Sequence, residues 1–221
     1  MIWIITIGVF LLSMFVQSSL KSKFEKYSRV ALPNGMCGKD VAQMMLQQNG
    51  INDVQVMSVA GQLTDHFNPT NKTVNLSEPV YNTNSVAAAA VAAHECGHAV
   101  QHKVGYGPLQ LRTKLVPVVS FASKYVQWVL LLGVAIVQLT PVPLYIALAL
   151  FGMTVLFSFV TLPVEVDASR RAIQWLEQTG ITQGEATTQA KDALHAAAYT
   201  YVVAAIGSLA TLVYYAMMFL G

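Results

Sequence analysis

Charge is what this 221-residue sequence has least of. Asp, Glu, Lys and Arg make up 11% of it, against 54% hydrophobic residues. A soluble domain carries about 25% charged residues, so this composition excludes an ordinary soluble globular protein and points to an integral membrane protein. Cysteine is also scarce. Cys37 and Cys96 are the only two thiols, too few for a disulfide framework, and Cys96 lies inside a helical stretch that pairing would distort, so it reads as a small helix filler. The net charge is +2, and the cations neither form a long basic stripe nor cluster with aromatics, which gives no case for nucleic-acid binding. No inverted repeats are visible, and within the apolar runs only Lys124 is charged, which argues against a transporter or channel.

What the sequence does have is long apolar runs. Residues 2–20 carry no charge and suffice for one span of about 20 residues. No basic segment precedes this stretch and no small-x-small cleavage site follows it, so it is expected to be a retained anchor. Lys21, Lys23, Lys26 and Arg29 come next, which by the positive-inside rule places them in the cytoplasm and the N-terminus outside. From Leu115 to Leu162 the chain is apolar except for Lys124, with Thr140-Pro141-Val142-Pro143 near the middle. Two spans, 115–139 and 142–162, joined by a tight proline turn are expected. A single helix from Glu185 supplies a fourth span over 200–220. There Ala204, Gly207 or Ser208, and Thr211 form a small-residue stripe suited to close packing, within the chain or in a homo-oligomer or with a membrane partner.

The most informative stretch is His94-Glu95-Cys96-Gly97-His98. Residues four apart lie on one helix face, so the two histidines can offer their imidazoles to one metal ion, zinc by preference for such ligands. Glu95 is rotated about 100° from His94, too far to be a third ligand beside them but placed to reach a metal-bound water as general base. A helix over about 85–104 is expected: Asn84 or Ser85 can cap it, alanines fill its first turns, and Gly105 follows it. Ala87, Ala90, His94, His98 and Gln101 share one face, small enough before His94 for a close neighbour.

Around this helix the chain reads as a cytoplasmic region over 21–114 and 163–199. Lys21 to Leu32 is basic and amphipathic, suited to the inner leaflet. Lys39 to Gln48 has helical spacing and stops at Asn49-Gly50. Alternation at 54–59 and the run Thr73-Val74-Asn75-Leu76, separated by the turn Asn68-Pro69-Thr70-Asn71, predict two strands forming a short β-hairpin. Its free edge would suit an extended peptide. His66 beside that turn either reaches metal or substrate or is a hydrogen-bonding loop residue. After the two-span hairpin the chain returns to the cytoplasm at Pro163-Val164-Glu165-Val166-Asp167, where a carboxylate serving as third ligand would have to be. Alternatively, Glu165 and Asp167 favour a helix N-terminus and pair with Arg170 or Arg171. His195 stands one to two turns before the last span, either facing the site as an oxyanion donor or lying at the interface.

The runs Leu63-Thr64-Asp65-His66-Phe67, Leu76-Ser77, Ala92-Ala93-His94-Glu95-Cys96-Gly97-His98-Ala99-Val100-Gln101 and Leu162-Pro163-Val164-Glu165-Val166-Asp167-Ala168-Ser169 resemble the YugP-like neutral zinc metallopeptidases of bacterial membranes. The likeness covers nearly the whole chain. More distantly, the chain is similar to gluzincin membrane proteases, in which a downstream Glu is the third zinc ligand. The ligand role carries over by this resemblance to Glu165. Those families place an Asp four residues later, where this chain has Ser169; Asp167 is the nearby acid, with a role in orienting a histidine left open. The metzincin pattern is not met, because Gln101 and Val104 stand where it needs Gly and His, and His102 is expected behind the ligands or at the surface. The resemblance implies an integral membrane zinc peptidase and does not supply its substrates. With the ligand set and the charge pattern, one Zn2+ per chain, a peptide or membrane-protein substrate and a multi-pass protein of the bacterial inner membrane with its site facing the cytoplasm are expected. The overall expectation is a mainly α integral membrane protein with about four transmembrane helices and a zincin-like catalytic region. The competing class is a non-catalytic membrane scaffold held together by the same metal, for which Glu95 would have no use.

Overall fold

The computed structural model describes residues 2–220. In chain order the elements are α1 (Ile2–Ser28), α2 (Gly38–Gln48), β1 (Gln55–Val59), β2 (His66–Asn68), β3 (Thr73–Ser77), α3 (Glu78–Tyr81), α4 (Val86–Lys103), α5 (Gly107–Ile136), α6 (Val142–Gln178) and α7 (Glu185–Leu220). The chain divides into two compact units: residues 1–15, 107–163 and 200–221 form the first, and 16–106 with 164–199 the second.

The first unit is made of apolar helix. Among the described residues, three helices are long and apolar enough to cross a membrane, Gly107–Ile136, Val142–Gln178 and Glu185–Phe219. The segment expected as a first span is helical within α1, though Met1 and the side chains of residues 2, 3 and 5 lie outside the described residues. α5 and α6 meet at the proline turn, where a Cβ on Gly133 would stand 2.7 Å from the Leu144 side chain. Gly207 in the small-residue stripe lies equally close to Val9, at 2.6 Å for an added Cβ. Large apolar side chains point outward, Trp128 being 70% exposed, the arrangement expected where hydrocarbon rather than water is the solvent.

In the second unit the apolar side chains turn inward. Its core joins Val41, Met45 and Leu46 of α2, Val74 and Leu76 of β3, the alanines of α4, and Ala172 and Leu176 of α6. α4 is buried from Val86 through Ala93, and alanine allows this because it adds no bulk between a helix and neighbours on several sides. Ser85 caps it, accepting from Ala88 N at 3.1 Å. Asn84, the other cap candidate, instead binds both Leu32 N (2.9 Å) and Leu32 O (3.0 Å). Gly97 permits a close approach: a Cβ there would lie 2.7 Å from the Ala168 carbonyl oxygen, so only glycine lets α4 and α6 touch at this level.

Two local expectations are corrected. The strands at 55–59 and 73–77 do not form a hairpin; they pair in parallel, Gln55 opposite Thr73 through Val59 opposite Ser77. The hairpin is β2–β3 around the Asn68-Pro69-Thr70-Asn71 turn, antiparallel, with sheet order β1-β3-β2. β3 takes the centre, with Val74, Leu76 and Ser77 fully buried. The other concerns the alternative that Glu165 and Asp167 mark a helix N-terminus. α6 runs unbroken through Pro163 to Gln178, so Glu165 and Asp167 sit inside a long helix and not at a helix N-terminus. Proline removes one backbone hydrogen bond there, but Val164, Glu165 and Ala168 just beyond it are buried and hold the following turns.

Candidate metal centre

α4 and the polar end of α6 assemble the site. His94 and His98 project from one face of α4, their ring centroids 4.8 Å apart and nearly perpendicular. Across the contact opened by Gly97, Glu165 lies one turn before Ala168 on α6. Its Oε2 is 3.3 Å from His94 Nε2 and 3.6 Å from His98 Nε2. One ligand atom from each of the three lies within 4.8 Å of the others, and among the described residues this is the only such group of His, Cys, Asp and Glu.

The outer nitrogens of the two rings are also engaged. His94 Nδ1 is 3.1 Å from Ser169 Oγ, and His98 Nδ1 is 3.0 Å from Gln101 Oε1. With Nδ1 committed on both, Nε2 is the free coordinating atom on both, and each points to Glu165. Gln101 is fully buried and donates to the Val164 carbonyl (2.8 Å) and to Asp167 Oδ2 (2.9 Å). Asp167 further accepts from Arg171 Nε at 2.6 Å and from Arg170. Arg171 in turn lies over the Tyr106 ring.

Charge at the site follows from burial and pairing. Burial works against a charged His98, but the Glu165 hydrogen bond, with Glu95 and Gln101, outweighs it and raises its pKa above the ordinary imidazole value. Glu165 lies beyond the apolar run 142–162. Burial opposes its ionisation too, yet the hydrogen bonds from His94 and His98 hold its carboxyl well below the usual range. Cys96 is fully buried, and that burial, with Glu95 nearby, pushes its thiol upward, so it stays protonated and inert. Glu95 is itself 8% exposed.

The other sequence candidates stand apart from this group. His66, on the exposed β2 edge, has Nδ1 2.8 Å from the Thr64 carbonyl and Nε2 3.2 Å from Asn75 Nδ2. His102 packs its ring against Phe67. His195 is exposed on α7. Asp167 reaches a histidine only through Gln101. The residues that sequence reading did not assign are Gln101 and Ser169, although each had a legible position: Gln101 three residues past His98, and Ser169 four past Glu165.

A buried pair of imidazole nitrogens closing on one carboxylate oxygen is the donor set of a zinc peptidase. The comparison with known sequences agrees: the chain belongs to the family described as "Putative neutral zinc metallopeptidase", whose model matches residues 2–220. It is 44% identical over 216 residues to the "Putative membrane protease YugP" of Bacillus subtilis (strain 168), covering 98% of this chain and 95% of that protein. No solved structure matches it. Together with the three apolar helices, these likenesses identify a membrane protein of a zinc-peptidase family. The residues fit zinc: two nitrogens and one oxygen converge, and each ring is held from behind through its other nitrogen.

Proposed function

We propose that this chain is a multi-pass protease of the bacterial inner membrane, with four spans including residues 2–20, that hydrolyses peptide bonds on the cytoplasmic side. The observation that carries the reading is the convergence of His94 Nε2, His98 Nε2 and Glu165 Oε2 beside a buried glutamate. These three residues would hold a zinc ion, which when bound would supply a Lewis acid for the scissile carbonyl and lower the pKa of water from 15.7 toward about 7. Glu95 accepts a proton from the attacking water on its carboxylate and delivers it to the departing amide nitrogen, so that a C–O bond forms as the C–N bond breaks. Glu165 and the two imidazoles would supply three protein ligands, the number a catalytic rather than a structural zinc site takes from its protein. The cytoplasmic placement is supported by Lys21, Lys23 and Lys26 after the first apolar run and by Arg170 and Arg171 after the third.

Two variants of detergent-purified protein test this. Glu165→Ala should lose the one zinc that wild type retains through desalting. Glu95→Gln should keep zinc and lose about 100-fold or more of peptide hydrolysis. Wild-type turnover in Glu95→Gln would overturn the acid–base assignment, and zinc held equally by a Glu95→Gln protein and an inactive wild type would favour the scaffold.

A further inference from the structure

Gln101 is neither a ligand nor an acid or base, yet it is fully buried and touches both sides of the site. Its amide nitrogen faces two groups that can only accept, the Val164 carbonyl at 2.8 Å and the Asp167 carboxylate at 2.9 Å. Two arginines keep that carboxylate supplied with donors of its own. Turning the amide over would set an oxygen against two oxygens, so its orientation is fixed by chemistry. Oε1 must then face His98 Nδ1, 3.0 Å away. A carbonyl oxygen can only accept, so His98 Nδ1 must carry the proton and the lone pair of the neutral ring lies on Nε2, toward Glu165. Ser169 differs in this respect. Its hydroxyl can donate to His94 Nδ1 or accept from it equally well, so it places that ring without choosing its tautomer.

We infer that Gln101 is a positioning residue: it passes the hold of Asp167 to His98 and fixes that imidazole as the Nδ1–H tautomer with Nε2 presented to the metal. This rests on the zinc-peptidase reading and goes beyond it, since it makes one ring of the pair preset and the other adjustable. The chain from Asp167 to Gln101 to His98 does in two steps what a carboxylate bonded directly to a metal-bound histidine does in one. The amide donations to Val164 and Asp167 also polarise the Gln101 carbonyl and strengthen it as an acceptor.

The test is zinc affinity by chelator competition, read together with the His98 Nδ1–H proton resonance of the zinc-loaded, 15N-histidine-labelled protein. Gln101→Met keeps side-chain length and removes both ends of the relay. It should weaken zinc binding by about 10- to 100-fold and let the His98 Nδ1–H proton exchange with solvent. Gln101→Glu sets a carboxylate against Asp167 and should bind zinc less well than wild type. Adding Asp167→Asn to Gln101→Glu exchanges the two functional groups, replaces the opposed carboxylates by an amide donor paired with a carboxylate that still accepts from Nδ1–H, and should recover part of that loss. A residue that merely glued the helices together would not show this rescue. Should Gln101→Met fold poorly by circular dichroism, the single and double Gln101→Glu proteins decide. Unchanged zinc affinity and an unchanged His98 proton in Gln101→Met, or a double variant no better than Gln101→Glu alone, overturn the inference and leave the peptidase reading standing. A wild type that holds no zinc overturns the peptidase reading and this inference with it.

Discussion

The two compact units divide the chemistry unequally. All 11 carboxylate side chains, all five histidines and both cysteines belong to the unit of residues 16–106 and 164–199. The other unit has three cations, Arg112, Lys114 and Lys124, and no acidic side chain. Their cores are built in opposite senses. In the site-bearing unit, large apolar side chains such as Met45, Leu76 and Leu176 are buried. In the apolar unit, glycine and alanine face neighbouring helices while Phe121, Trp128 and Leu131 face outward. Hydrophobic burial therefore drives the folding of the site-bearing unit, whereas close packing of small residues holds the helices of the apolar one, as expected when the surrounding medium is itself apolar. A metal centre needs carboxylate and imidazole held dry by protein, and only one of the units has either.

This contrast can be broken most severely by removing bulk. Leu176→Ala, at a fully buried leucine, should cost about 2–5 kcal/mol, whereas Leu131→Ala, at a leucine 55% exposed, should cost under about 0.5 kcal/mol. Denaturant titration of both proteins in one detergent checks this, and equal costs would remove the distinction between the cores. A smaller effect separates two serines of α6. Ser169→Ala withdraws the partner of His94 Nδ1 and should weaken zinc binding by about 10-fold, or about 1.4 kcal/mol. Ser158, whose hydroxyl donates to the Thr154 carbonyl of its own helix at 3.1 Å, should leave zinc affinity unchanged when made alanine.

The smallest effect concerns pH. Asp40 is held below the usual carboxylate range, chiefly by its hydrogen bonds from the Cys37 side chain and backbone at the start of α2. Its pKa being lower in the folded state, its contribution is present in full above the unfolded value near 3.9 and disappears as pH falls through the folded one. Asp40→Asn should therefore be less stable than wild type at pH 7, by under about 0.5 kcal/mol because the group is screened by solvent, and indistinguishable from it well below pH 4. Stability curves at the two pH values check the sign. The helices of the unit without side-chain carboxylates should show no corresponding acid sensitivity.

Much of the local structure is legible in the sequence because its signals are local. The helix expected from Lys39 to Gln48 begins one residue earlier, at Gly38, and the one expected over about 85–104 is Val86–Lys103. Cap, alanine run and terminal glycine lie within a few residues of one another there. The Glu185 start of α7 is equally plain. The strand errors have a different origin. Alternation tells which side chains face the same way but not which strand lies alongside, and β3 pairs with β1 in parallel because burial of Val74 and Leu76 puts it at the centre. The helix-N-terminus alternative for Glu165 and Asp167 fails for a related reason: any local tendency of Pro163 to end a helix is overridden by tertiary burial of the residues that follow it.

His94, Glu95 and His98 are joined by helix geometry alone, since a spacing of four residues on any α-helix brings the two rings together. The apolar runs likewise dictate membrane-length helices through their composition and length. Glu165 lies 67 residues beyond His98, and no periodicity connects them. That meeting depends on α4 and α6 approaching until backbone meets backbone at Gly97. The same approach brings Ser169 to one ring and the Asp167–Gln101 pair to the other. Sequence by itself determined which residues could bind a metal and which helices could cross a membrane. Only the tertiary structure decided where Glu165 meets the two histidines and which hydrogen bonds lie behind each ring, because those depend on distances between segments that the chain does not connect locally.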